Sequence, residues 1–267
     1  MANAYATAKN RVEAAPAYLI HQRPYRETSL LLELFSRDHG RVAMVARGAR
    51  RPGSALRGTL LGFQPLAVSW FGGGEVKTLH AAEWQGGVPQ LVGLPLICGF
   101  YLNELLLRLL PREDSHPGLF TVYDATVRDL AALGCPLEPY QVASREAAPG
   151  EARATVREAE PVLRRFELAL LRELGYGLAL DRDSAGRLFD PSQPYRFCAG
   201  RGFVPEVEAE QAGITLSGST VAAMATGDFS DPQAAQQAKS LIRRVLSDLL
   251  GEAPLYTRQL LRDLQSL

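Results

Sequence analysis

Short apolar runs alternate with polar positions across residues 17–84, a pattern that predicts β-strands. In "TSLLLELFS", Leu30, Leu32 and Leu34 recur with the period of two that places side chains on one face of a strand. Turn signals rich in Gly, Pro and Asp separate the runs at 38–40, 52–54 and 72–74. The segment therefore predicts several short strands joined by tight turns.

Five short strands in so short a segment predict a small closed barrel. The five-stranded oligonucleotide/oligosaccharide-binding (OB) barrel is one such architecture, and a β-sandwich fragment or an SH3-like barrel would give a similar pattern. Phe35 and Phe63 are expected to fill the barrel core.

The pattern changes to a helical period after residue 90. Apolar helices are predicted over 95–111 and 114–134, and a third begins at Pro161 and ends at Gly175. Two later helices are predicted, the first capped by Ser217 or Ser219 and the second by Asp231. Residues 138–161 are polar and contain three prolines, which predicts an extended linker with at most a short helical piece. The sequence thus predicts an α+β protein: a leader at 1–16, an OB-fold DNA-binding domain at 17–84, and a helical domain at 90–267 with a ribbon-like segment around 181–206.

Composition narrows the class of protein. The 267 residues are enough to bury a hydrophobic core, and no apolar run is long enough to cross a membrane. Three scattered cysteines, Cys98, Cys135 and Cys198, form no disulfide framework, which favours a reducing, cytoplasmic compartment.

The sequence has none of the motifs that mark common catalytic sites. It lacks a phosphate-binding GxxxxGK[ST] loop, a GxSxG nucleophile, an HExxH pair and any metal-spaced His/Cys cluster. The sequence therefore predicts a binding protein rather than an enzyme, with no cofactor and no metal.

Charge is distributed unevenly although the net charge is zero. The first 80 residues hold eleven Arg and Lys against five Asp and Glu, and residues 39–74 contain no acidic residue at all. Arginine forks suit phosphate oxygens, and neighbouring aromatic rings can stack bases. Nucleic-acid binding is favoured, while a solvated basic loop or a protein-docking surface remain alternatives. The candidate DNA-binding residues are Arg41, Arg47, Arg50, Arg51, Arg57 and Lys77.

Several stretches resemble the RecO family, the bacterial recombination mediators of the RecFOR repair pathway. They are "YLIHQRPYRETSLLLELFSRDHGRVAMVARGAR", "LRGTLLGFQPL", "GEVKTLHAAEW", "YLNELLLRLL" and "LRRFELALLRELGYG". The resemblance implies binding of single- and double-stranded DNA, annealing of complementary strands, and loading of RecA on DNA covered by the single-stranded DNA-binding protein. It also implies RecR and that binding protein's C-terminal tail as partners, and a nucleoid-associated location. The alternative is an adaptor whose basic barrel docks a partner subunit rather than DNA.

The resemblance also bears on two sites in the C-terminal half. Some family members hold zinc with four cysteines after the "LGYG" helix, whereas residues 181–206 here keep only Cys198, so no metal is expected. The acidic tail of the single-stranded DNA-binding protein is expected on the "LRRFE" helix, at Arg164, Arg165, Leu168 and Leu171. Alternatively, the two arginines pair with Glu160 or Glu167 on a solvated face.

Overall fold

The computed structural model describes residues 11–134, 149–210, 212–251 and 254–259, and for 149–157 the backbone alone. The described residues form two compact units. The first comprises 11–134 and 255–259, and the second comprises the described part of 149–254. The predicted helical domain at 90–267 thus contributes to both units, because its first two helices belong with the strands.

The first unit contains a closed five-stranded barrel, which confirms the α+β class and the predicted barrel. The strands close in the order β1-β2-β3-β5-β4, and only β3 and β5 pair in parallel. Their bounds are β1 Arg11–Tyr25, β2 Ser29–Ser36, β3 Gly40–Ala46, β4 Pro65–Phe71 and β5 Val76–Trp84.

Strand β1 begins within the expected leader, where Val12 pairs with Trp70 and packs against the barrel core. Alternate residues of each strand fill the interior, including Leu32, Leu34 and Met44, which are almost completely buried. Each such side chain contributes about 1.5–3 kcal/mol to the free energy of unfolding through burial.

Helices of the first unit include α1 Leu56–Thr59, α2 Gly93–Leu109 and α3 Pro117–Gly134. An aromatic cluster of Tyr18, Phe35, Phe120 and Tyr123 packs the outer wall of the barrel against α3, with ring centroids 5.1 to 5.9 Å apart. Phe35 is therefore buried against the helices rather than inside the barrel. The reason is the strand period, which points it away from its core neighbour Leu34.

Buried hydrogen bonds fix the same boundary between barrel and helices. The side-chain amide of Asn103 donates to the carbonyl of Ile20 at 3.1 Å and accepts from the Tyr123 hydroxyl at 2.6 Å. The Tyr18 hydroxyl donates to Asp124, and burial together with that carboxylate raises the pKa of Tyr18. Burial opposes ionisation of Asp124, yet hydrogen bonds from Arg128 and Tyr18 hold its pKa below the ordinary value.

The second unit packs helices around a small antiparallel sheet. Its elements are α4 Pro149–Glu173, β6 Pro194–Cys198, β7 Gly202–Pro205, a 3-10 turn Glu206–Glu208, β8 Ile214–Ser217, α5 Gly218–Thr226 and α6 Pro232–Leu250. The predicted caps are confirmed, because Ser217 accepts from the amide of Thr220 and Asp231 from the amides of Gln233 and Ala234.

Helix α4 corrects the prediction for 138–161. Residues 149–161 are helical rather than extended, and Pro161 lies inside the helix rather than at its start; residues 138–148 lie outside the described part of the chain. An interior proline costs about 3 kcal/mol. The strong helix formers Ala, Glu and Arg and the buried side chains of Ala159, Val162 and Phe166 outweigh that cost.

An ion-pair network centred on Asp183 holds the predicted ribbon at 181–206. One oxygen of Asp183 accepts from the amides of Ala185 and Arg187 at 2.9 Å each, and the other accepts from Arg187 Nε at 2.8 Å. Arg187 also donates to both oxygens of Glu208 at 2.8 Å. Burial opposes ionisation of Asp183, but these donors hold its pKa below the ordinary value.

We predict that Gly40→Ala destabilises the first unit much more than Gly53→Ala. Both glycines have positive φ, at 64° and 78°. A Cβ on Gly40 would lie 1.8 Å from the carbonyl oxygen of Asp114, whereas one on Gly53 would meet nothing within 4 Å. Gly53→Ala should cost about 1 kcal/mol, and Gly40→Ala at least about 2 kcal/mol more. Denaturant unfolding followed by fluorescence of Trp70 and Trp84 measures both; equal losses would contradict the close approach.

We predict that Asp183→Asn destabilises the second unit by about 2 kcal/mol at neutral pH, because three donors lose a charged acceptor. A carboxylate with a lowered folded pKa stabilises the fold above its unfolded pKa of about 4, and the effect disappears as pH falls through the folded pKa. The difference between the variant and the parent should therefore shrink below about pH 4.

Circular dichroism during denaturant unfolding measures this, with tryptophan fluorescence tracking the first unit separately. The matched control is Asp181→Asn, an exposed carboxylate two residues away, whose effect should stay under about 0.5 kcal/mol. A difference for Asp183→Asn that stays constant with pH would show that its charge does not stabilise the ribbon.

Candidate nucleic-acid interface

Two loops of the first unit meet at one end of the barrel: the β1–β2 turn at 26–28 and the connection at 47–55 that leads from β3 to α1. The amide of Arg50 donates to the carbonyl of Thr28 at 2.9 Å, and its guanidinium donates to the carbonyl of Glu27 at 3.2 Å. The turn itself contains Arg26 in the left-handed region, at φ 53°. These bonds hold the arginine-rich connection against the turn.

A cleft of about 570 Å³ opens on one side of the connection, and we call it the basic cleft. Residues from the β1–β2 turn, the end of β3 and the start of β5 line it: Tyr25, Arg26, Thr28, Ser29, Val45, Arg47, Gly48, Arg51, Val76, Lys77 and Thr78. The lining contains four basic residues and no acidic one. Such a surface attracts anions.

The cations of the cleft differ in their availability. Arg47 and Arg51 are exposed, and no ion pair within the described ranges involves either of them. The guanidinium of Arg26 lies 5.3 Å from the ring centre of Tyr25, which is 38% exposed. The Lys77 ammonium instead lies 2.8 Å from both Glu113 Oε1 and the carbonyl of Gly74. Lys77 therefore lines the cleft with its charge already paired.

The position of the cleft matches the ligand site of OB barrels. That site lies on the face of strands 2 and 3, between the loop joining strands 1 and 2 and the loop joining strands 4 and 5. Here Ser29 begins β2, Val45 lies near the end of β3, and Val76 directly follows the β4–β5 loop. The cleft thus combines the location, the charge and one exposed aromatic ring that nucleic-acid binding requires.

A second groove, of about 480 Å³, opens at the same arginine-rich connection, and we call it the leucine groove. Its lining combines three arginines with apolar residues: Gln22, Arg23, Pro24, Leu30, Ala49, Arg50, Leu56, Arg57, Leu60 and Leu61. Of the predicted DNA-binding residues, Arg47 and Arg51 therefore line one groove and Arg50 and Arg57 the other.

The structure places Arg41 away from both grooves. Arg41 lies at the start of β3, six residues and about 20 Å of strand from Arg47. Its guanidinium lies 3.6 Å from the buried Glu33, which also accepts from Arg112. Burial lowers the pKa of Arg41, opposed by Glu33 and reinforced by Arg112. Arg41 thus contributes to an ionic cluster beside the α2–α3 connection.

Sequence reasoning did not assign a role to Arg23 or Arg26, which line the two grooves. Both belong to "RPYRETS", a stretch that carried the family resemblance. The sequence signal for these two arginines is the position of this stretch, which spans the end of β1 and the turn before β2. The stretch lies outside the acid-free run at 39–74, because Glu27, Glu33 and Asp38 separate Arg26 from that run.

Helix α4 buries two of the four residues expected to bind a partner tail and leaves the other two accessible. Arg164 and Leu171 are buried, whereas Arg165 is exposed and Leu168 is half-buried. Arg164 donates to the fully buried Glu167 at 2.8 Å, while Glu160 pairs with Lys239. The expected pairing with Glu167 therefore exists, but on a buried face rather than a solvated one. The tail site stays a prediction, and Arg165 and Leu168 are the two of its four residues that solvent reaches.

The segment at 181–206 does not fit a structural zinc ion. Its cysteine, Cys198, is buried, and one thiolate leaves a tetrahedral site three ligands short. In the part of the chain that the structure describes, no group of three His, Cys, Asp or Glu side chains is arranged to hold a metal ion. Within those same residues, no helix has the length and apolar character needed to cross a membrane.

A closed five-stranded barrel with a basic cleft at its ligand face, joined to helices, defines an α+β protein of the oligonucleotide-binding-barrel class. Two family models match the chain: "Recombination protein O N terminal" at residues 12–87 and "Recombination protein O C terminal" at residues 153–267. The chain belongs to the RecO family, as its resemblance predicted.

Relatives named DNA repair protein RecO resemble it over nearly their whole length. The protein of Aromatoleum aromaticum is 48% identical, over 97% of this chain and 99% of its own. That of Chromobacterium violaceum is 47% identical, over 96% and 97%, and that of Dechloromonas aromatica is 46% identical, over 97% and 99%. Family membership supports a role in DNA repair and recombination.

Proposed function

We propose that this chain is a non-catalytic DNA-binding mediator of recombinational repair, acting in the cytoplasm. It binds single- and double-stranded DNA, anneals complementary strands, and helps to load RecA on DNA covered by the single-stranded DNA-binding protein. The observation that carries the proposal is the basic cleft. Its exposed arginines and exposed tyrosine lie at the ligand face of an OB barrel, and its lining contains no acidic residue.

Each part of the cleft supplies one component of binding. Arg26, Arg47 and Arg51 pair with backbone phosphates, a contact that is independent of sequence and falls with salt. The exposed ring of Tyr25 stacks on a base, which is worth about 1–3 kcal/mol. The hydroxyls of Thr28 and Thr78 are further donors to phosphate.

Annealing follows from the same electrostatics without covalent chemistry. Two DNA strands repel each other through their phosphates, and a basic surface that neutralises some of that charge lowers the repulsion. Contacts to phosphate leave the pairing edges of the bases available. The cleft therefore favours encounter of complementary strands.

We further propose two protein partners that the resemblance to the RecO family implies, RecR and the C-terminal tail of the single-stranded DNA-binding protein. A tail contact on α4 would use Arg165 and Leu168, because Arg164 is buried and paired with Glu167. An arginine beside an aliphatic side chain suits an acidic peptide that ends in a carboxylate.

We predict that the double variant Arg47→Gln, Arg51→Gln weakens binding of labelled oligothymidine at least about tenfold at moderate salt. The slope of log affinity against log salt should become shallower by about 1.4, since each lost phosphate contact on a single strand removes about 0.7. Fluorescence anisotropy across a salt series measures both quantities, and the annealing rate of complementary oligonucleotides should fall in parallel.

The matched control is Arg37→Gln, which makes the same kind of substitution at one arginine of the same barrel. Arg37 follows β2 at the end away from the β1–β2 turn, is exposed, and pairs with its neighbour Asp38. It should change the affinity less than twofold. If the cleft double variant binds like the parent, or with an unchanged salt slope, the cleft is not the DNA site. A partner-docking barrel would then be favoured.

A further inference from the structure

The leucine groove lies outside the ligand site that OB barrels use. The end of β1, Leu30 of β2 and the connection that contains α1 form it, whereas the ligand face comprises the strand 2–3 surface and the flanking loops. Its volume of about 480 Å³ is in the range of pockets that hold drug-sized ligands. It suits a short segment rather than a folded domain.

Charge and apolar surface are combined in this groove. Arg23, Arg50 and Arg57 line it together with four leucines, and no acidic residue contributes to the lining. Arg23 and Arg57 are exposed, and none of the ion pairs among the described residues involves them. Arg50 is held in place by its bond to the carbonyl of Glu27 at 3.2 Å.

The leucines give the groove an apolar floor whose exposed part is Leu61, because Leu60 belongs to the barrel core and Leu30 and Leu56 pack against that core. Leu61 is 37% exposed, and Leu30 and Leu56 are half-buried, while Leu60 is buried beneath them. Helix α1 buries none of its residues, so it stands on the surface of the barrel. Exposed aliphatic surface gains free energy when a ligand covers it with apolar atoms.

The chemistry of the lining favours a peptide over a nucleic acid. Single-stranded DNA binds by stacking bases on aromatic rings beside phosphate-binding cations, and the lining of this groove has no aromatic residue. The basic cleft has Tyr25 in that role. Guanidinium groups pair with carboxylates as well as with phosphates, and leucines pack well against aliphatic side chains.

We propose that the leucine groove binds an acidic segment of a partner protein, one that places an aliphatic side chain on the leucine floor while its carboxylates pair with Arg23 and Arg57. Arg50 and the neighbouring carbonyls hold the wall of the groove in place. The barrel then has two separate sites, the basic cleft for DNA and the leucine groove for an acidic, aliphatic peptide. Charge complementarity and the absence of an aromatic ring support this occupant.

The test uses the full chain and a fluorescent peptide of alternating aspartate and leucine, with labelled oligothymidine as the second probe. Leu61→Gln should weaken the peptide at least about fivefold, since it replaces an exposed part of the apolar floor, and leave the oligothymidine affinity within about twofold. Arg57→Gln should weaken the peptide by about tenfold. Peptides with asparagine for aspartate, or serine for leucine, should each lose most of their affinity.

The matched control is Arg47→Gln in the basic cleft, which should weaken oligothymidine and leave the peptide within about twofold. Absence of saturable peptide binding up to about millimolar concentration would overturn the proposal. So would unchanged peptide affinity in both Leu61→Gln and Arg57→Gln. If Leu61→Gln weakens oligothymidine as much as peptide, the groove belongs to the path of DNA. The DNA result for Arg47→Gln tests the proposed function independently of these outcomes.

Discussion

The packing of α3 against the outer wall of the barrel is the contact on which the first unit depends. Four aromatic rings and the amide of Asn103 form it. They contact the middle of β1 and the end of β2 that lies away from the β1–β2 turn. The other end of β1 and the start of the turn that follows it, from Arg23 to Glu27, are therefore left to solvent. Because a closed barrel and a buried polar network both resist deformation, the loops at the free end rest on a rigid base.

The arginine-rich connection is where the structure changes the picture drawn from sequence. A run of arginines without acidic residues looks like one continuous surface, yet it contributes to two grooves of different chemistry. Arg47 and Arg51 lie beside a tyrosine and hydroxyl groups, whereas Arg50 and Arg57 lie beside leucines. The two ligand proposals therefore differ through the neutral residues around each arginine, because the guanidinium groups are the same in both grooves.

Local patterns predicted what local interactions determine. The period of two in "TSLLLELFS", the glycines at helix ends, and the caps at Ser217 and Asp231 are properties of neighbouring residues, and the structure has these features where the sequence placed them. The helix start predicted at Pro161 was wrong, because tertiary packing of the buried face of α4 stabilises the helix on both sides of this proline.

Long-range contacts were beyond such rules. The burial of the Arg164–Glu167 pair and the pairing of Lys77 with Glu113 depend on how distant elements pack, so neither could be predicted from the sequence. The roles of Arg23 and Arg26 became visible once the β1–β2 turn lay beside the connection at 47–55. The candidate site was therefore predictable as a region of the barrel, and its division into two grooves required the fold.

The bond between Arg50 and the carbonyl of Glu27 has a consequence for regulation. It ties the connection at 47–55 to segment 22–30, and each of these two segments lines both grooves. Under the two-site proposal, a ligand that orders them from one side prepares them for a ligand on the other. Free-energy coupling between two binding sites is reciprocal: whatever factor a bound peptide applies to DNA affinity, bound DNA applies to peptide affinity. Under the two-site proposal, this connection makes the barrel a point at which binding of a nucleic acid and of a protein segment is coupled.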